Sequence, residues 1–116
     1  MSFVPACPLS EVPEHGARRV VIDGIGIAVV GTDEGVFAIA DRCSHADVAL
    51  SEGEVDGCTI ECWLHGSAFD LRTGMPLSLP AITPVATFPV RIVGDGDDAV
   101  VEIDPTPTPH EPERTP

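Results

Sequence analysis

Two short boxes carry the side chains best suited to chemistry: Cys43-Ser44-His45 and, sixteen residues further on, Cys62-Trp63-Leu64-His65. Each box pairs one thiol with one imidazole. Thiolate and neutral imidazole both ligate soft or borderline metals. If the boxes lie on two loops that face each other, each metal can draw a like pair of ligands, one from each loop. Cys43 and Cys62 then hold one iron, and His45 and His65 the other, as in a [2Fe–2S] centre with imidazoles on one iron. The competing occupant is a single tetrahedral zinc. Zinc knuckles usually open on two cysteines close in sequence, whereas both boxes here mix Cys with His. Because imidazole is neutral, this ligand set removes negative charge from a cluster and raises its potential, placing the transferred electron on the histidine-bound iron near solvent.

The segments that must position these boxes read as strands. Arg18 to Ile22 and Ile25 to Thr32 are rich in Val and Ile and flank Asp23-Gly24, a strong hairpin signal. Val36 to Ala40 follows a turn at Asp33 to Gly35. Glu54-Val55 and Cys58 to Cys62 bracket Asp56-Gly57 as a second hairpin, and Ser67 to Leu71 leads into the Thr73-Gly74 turn. Thr87 to Val93 and Ala99 to Ile103 make a third hairpin around the turn at Gly94 to Asp98. No stretch sustains a 3.6-residue period, and prolines at 76, 80, 84 and 89 exclude long helices there. The fold class is all-β. Both boxes follow strand ends, so they can be adjacent loops at the tip of a sheet.

Composition limits the rest. The 116 residues suffice for one domain. With 43% hydrophobic but only 4% aromatic residues, the core must be aliphatic. Nineteen Asp and Glu stand against six Arg and no Lys, a net charge of −13. That balance argues against nucleic acid, whose phosphates need clustered cations, and favours steering toward basic partner surfaces. No signal peptide or membrane-spanning run is visible, so a cytoplasmic location and no membrane contact are expected. From Pro105 onward five prolines and no large apolar residue predict a disordered tail over 105–116. The folded domain is expected over 1–104.

The run from Arg42 to Met75 resembles the cluster-binding subdomain of the soluble Rieske-type ferredoxins. The likeness rests on the spacing of the four ligands, on Gly66, and on Phe69-Asp70-Leu71 with Thr73-Gly74. It extends over about residues 2–104. It implies an antiparallel β-sandwich base with a cluster-binding subdomain inserted at about 42–82, and one [2Fe–2S] cluster per chain held by Cys43, His45, Cys62 and His65. It also identifies Leu79-Pro80-Ala81 as a proline loop covering the cluster. Rieske proteins of respiratory cytochrome bc complexes carry an extra cysteine in each box, joined as a disulfide. Here Val48 and Leu64 occupy those positions. The resemblance further assigns Ser67 to a position whose hydroxyl supports a high potential, and Phe69 to one that holds tyrosine in the high-potential class. With Asp47 adding negative charge nearby, a potential near the low end of roughly −150 to +300 mV is expected.

The function so implied is one-electron transfer without catalysis: a carrier taking electrons from an NAD(P)H-dependent flavin reductase and passing them to a terminal oxygenase. From its length the chain is not expected to be the catalytic subunit of such an oxygenase, which needs a second domain holding a mononuclear iron. A similar likeness, to small Rieske proteins of iron–sulfur cluster assembly, makes cluster-assembly proteins the alternative partners. A redox-inactive subunit of the same fold is disfavoured because all four ligands are present. Docking is expected around His45 and His65, with Asp47 and Glu52 at the rim. Trp63, where the family commonly has proline, is either a docking anchor or a ring packed on the base. Cys58 alternates with Ile60 and Cys62 and reads as a core residue, as does Cys7. His15, His110, Asp70 and Arg72 fit no catalytic arrangement.

Overall fold

The computed structural model describes residues 3–42, 48–63, 67–77 and 84–105. These form ten strands: β1 Val4–Pro8, β2 Gly16–Ile22, β3 Ile25–Thr32, β4 Gly35–Ala40, β5 Glu54–Asp56, β6 Thr59–Glu61, β7 Ala68–Asp70, β8 Thr87–Phe88, β9 Val90–Val93 and β10 Val100–Ile103. They pair antiparallel in three sheets, ordered β1-β10-β9, β2-β3-β4-β8 and β5-β6-β7. Among the described residues there is no α-helix, only 3-10 turns. The all-β expectation holds.

The hairpin between β2 and β3 forms where Asp23-Gly24 places it. Both residues take positive φ, 53° and 78°, as a two-residue turn matched to strand twist requires. β3 is apolar at nearly every position because it is buried on both faces. Ile27 and Val29 point into one core with Cys7, Ala38, Phe88, Val101 and Ile103. Ala28 and Val30 point into the other, with Ile39, Leu50, Cys58, Ile60, Cys62, Phe69, Leu71 and Val85. The four-stranded sheet is thus the middle layer, with the β1-β10-β9 sheet on one side and the β5-β6-β7 sheet on the other. Alternation along a single strand supplies both cores.

One element departs from the sequence reading. The run from Thr87 to Val93 is two strands divided at Pro89. Proline has no N–H for a ladder bond, and at this break the chain changes sheets: β8 pairs with β4, whereas β9 pairs with β10. The β9–β10 hairpin forms as expected. β10 also receives β1, so the first and last strands of the domain are neighbours. Pro105 is the last described residue, and the rest of the proline-rich tail lies outside the described residues.

Candidate metal centre

The β5-β6-β7 sheet carries the second box. Glu54 to Asp56 and Thr59 to Glu61 pair around Gly57, which takes φ of 60°. Cys62 follows directly after β6, and its backbone N–H donates to the Ser67 carbonyl at 2.7 Å. That bond ties the residue after β6 to the residue before β7. The Cys62 side chain is buried in the core beneath the sheet and is in no disulfide. Cys58, Ile60 and Cys62 share one core, as their alternation predicts. Ser67 and Phe69 are fully buried beside them.

The first box leaves the end of β4. Asp41 N–H donates to the Gly26 carbonyl at 3.0 Å, and Ala40 N–H to that of Ala86 at 2.9 Å. Further on, Val48 and Ala49 lead into a 3-10 turn at Leu50–Glu52, whose Leu50 is wholly buried in the same core as Cys62. Both boxes therefore spring from one apolar platform. Cys43, His45, Asp47, His65 and the Leu79-Pro80-Ala81 loop lie outside the described residues, so of the four candidate ligands Cys62 alone has a described position. Val48, where the respiratory class has a cysteine, packs against the core; Leu64 lies outside the described residues.

Three large apolar side chains are exposed on the segments that follow β6 and β7. Trp63 is 53% exposed, Met75 47% and Leu77 55%. Met75 and Leu77 are held next to β7 by the turn that follows it: Asp70 N–H donates to Met75 O at 2.9 Å, and Leu77 N–H to Ala68 O at 2.7 Å. Trp63 therefore leaves about half of its surface open to solvent. Glu52 is exposed as well. Asp70 and Arg72 have structural roles: Asp70 Oδ1 accepts from the Arg72 N–H at 2.9 Å, and the Arg72 guanidinium binds Glu34 at 2.8 Å to both carboxylate oxygens. That pair joins the turn after β7 to the β3–β4 turn. His15 faces Asp33, Nε2 to Oδ1 at 3.2 Å.

Burial pushes the Cys58 thiol above its usual pKa, against the opposing pull of Arg72. Burial also raises Cys7, with Arg18 pulling the other way. A thiol held protonated in a core is inert as a ligand or nucleophile, which fits the reading of both as core residues.

A family model described as the Rieske [2Fe-2S] domain matches residues 2–89. The chain belongs to the Rieske [2Fe-2S] family. The 3-phenylpropionate/cinnamic acid dioxygenase ferredoxin subunit of Escherichia coli strain K12 is 39% identical over 104 residues, 89% of this chain and 95% of that protein. Among solved structures, a chain of the complex of reduced oxygenase and oxidized ferredoxin in carbazole 1,9a-dioxygenase superposes with a TM-score of 0.82 at 34% identity. The match covers 93% of this chain and 97% of that one. The ferredoxin of carbazole 1,9a-dioxygenase from Nocardioides aromaticivorans IC177 gives a TM-score of 0.75 at 34% identity, covering 87% and 97%.

The cofactor of this Rieske chain is a [2Fe–2S] cluster, and its role is electron transfer, not catalysis of a substrate reaction. The residues present fit that group. Cys62 offers a buried thiol in no disulfide at the mouth of a closed turn, and the remaining candidates supply one more thiol and two imidazoles. Sequence reasoning located the boxes but missed Asp41, whose partners Arg19 and Ser51 are brought to it by the fold.

Proposed function

We propose that this protein is the ferredoxin of a ring-hydroxylating oxygenase system, with Cys43, His45, Cys62 and His65 holding its cluster. When bound, such a cluster takes up and releases one electron at a time. The chain's own residues supply three things. The platform of Leu50, Ile60, Phe69 and Leu71 excludes water from the inner side of the Cys62 thiol. The backbone bond between Cys62 and Ser67 fixes the second loop. The exposed Trp63, Met75 and Leu77 present an apolar contact surface beside that loop.

The observation that carries this proposal is the apolar rim next to the buried Cys62. An exposed indole is a residue type that anchors interfaces, and the exposed Met and Leu side chains add apolar surface that a partner would cover. The donor is proposed to be a flavin reductase oxidising NAD(P)H, and the acceptor a terminal oxygenase. The named relatives favour an oxygenase over a cluster-assembly acceptor. A cytoplasmic location fits: among the described residues no helix is long and apolar enough to cross a membrane.

The test is reconstitution of the holo-protein with a reductase and a ring-hydroxylating oxygenase, following product formation. Electron delivery that requires this protein supports the proposal. Reduction of the protein by the reductase, with no transfer to any such oxygenase but rapid transfer to a cluster-assembly scaffold, would replace it with the assembly role.

A further inference from the structure

We infer that Asp41 is a positioning residue for the cluster: its carboxylate latches together the two ends of the segment that carries Cys43 and His45. The inference rests on the ligand assignment proposed above. Asp41 ends β4 two residues before Cys43, and its side chain is wholly buried. Oδ1 accepts the backbone N–H of Ser51 at 2.6 Å. Oδ2 accepts the Ser51 hydroxyl at 2.7 Å and Nη1 of Arg19 at 2.8 Å. Three donors, two of them from a residue ten positions along the chain, thus converge on one carboxylate.

Each end of the segment is anchored separately. Asp41 is tied to β3 through its backbone bond to Gly26. Ser51 lies in the 3-10 turn that Leu50 roots in the core, closed by the Gly53 N–H on the Leu50 carbonyl at 2.9 Å. The carboxylate joins the two anchors. A buried carboxylate without a counter-charge would be strongly unfavourable, and Arg19 supplies that charge from β2 across β3. The Arg19 guanidinium passes close over Gly26, where a Cβ would lie 2.5 Å from it and oblige the side chain to shift.

Metal ligands must be held within roughly 0.5 Å of their working geometry. The backbone bonds described at the two ends of this segment go to Gly26 and, within the 3-10 turn, to Leu50. The latch joins the two ends of that segment through charge-assisted hydrogen bonds.

The experiment compares holo-protein carrying Asp41→Asn or Ser51→Ala with the unaltered holo-protein. Two quantities are read well below the unfolding midpoint: the rate at which visible absorbance is lost to an iron chelator, and the linewidths of the reduced electron paramagnetic resonance spectrum. Loss of hydrogen bonds to a charged group should speed cluster release roughly tenfold in Asp41→Asn and less in Ser51→Ala. The resonance should broaden in both while the far-ultraviolet circular dichroism stays native. Release rates and linewidths equal to those of the unaltered protein would overturn the latch. So would bleaching that only follows loss of circular dichroism, which marks general destabilisation. If Asp41→Asn fails to fold, Ser51→Ala decides by the same readouts. Failure of the ligand assignment looks different, because the unaltered protein itself would then take up no cluster.

Discussion

Replacing Phe69 by tyrosine adds one hydroxyl to the inner wall of the site. Phe69 is fully buried on β7, opposite Ile60, in the same core as Cys62. A hydroxyl there has two fates. If it reaches a sulfur of the cluster or of Cys62, it gains a hydrogen bond worth about 0.5–1.5 kcal/mol net, stronger in the reduced, more negative state. Assigning about 1–1.4 kcal/mol of that to the reduced state alone, and with 59 mV per tenfold for one electron, the potential rises by roughly 40–60 mV. If it reaches no partner, the stranded polar group lowers stability by about 1–3 kcal/mol and leaves the potential where it was. Voltammetry and a denaturant titration on the same sample separate the two. Phe69→Tyr with an unshifted potential and reduced stability would refute the placement of Phe69 against the cluster.

Other consequences follow from the same geometry. Trp63→Ala should change the melting temperature little, because about half of the indole is exposed, and should weaken oxygenase binding by roughly tenfold or more if it is an anchor; titration calorimetry reads this directly. Cys58→Ala should load a full cluster, whereas Cys62→Ala should not, as an iron assay will show. Glu34→Gln removes an exposed ion pair with Arg72 and should cost under about 1 kcal/mol by chemical denaturation. The raised Cys7 and Cys58 thiols predict a pH dependence. Unfolded, they ionise near the ordinary value of about 8.5; folded, they remain protonated above it. The folded state therefore binds more protons, so their contribution is complete below that value and is lost as pH rises toward the raised one. Denaturant titrations on either side of it should show the fall, and a Cys7→Ala variant should show a shallower one.

Much of this molecule is legible in sequence where the signal is local. Asp23-Gly24 marks a turn because the two-residue connection demands positive φ at both positions, and both have it. Cys58 is separable from Cys62 as a core residue because strand alternation puts both on one face while the box motif singles out the second. What escapes is non-local. Pro89 reads as an interruption inside a strand, but the change of sheet depends on β4 and β10 being in different layers. Asp41 is an ordinary acid until Arg19, 22 positions before it, and Ser51, ten after it, are folded against it. The double burial of β3 is visible as an unbroken apolar run, yet which core each residue enters depends on the layers that cover it.

Anaerobic reductive titration of the reconstituted protein, with iron counted on the same sample, tests the central claim most directly. A Rieske [2Fe–2S] carrier should bind two irons per chain and accept a single electron, and it should lose both properties when Cys43, His45, Cys62 or His65 is replaced by alanine. A chain that binds one zinc, or that holds iron but accepts no electron, would contradict the account.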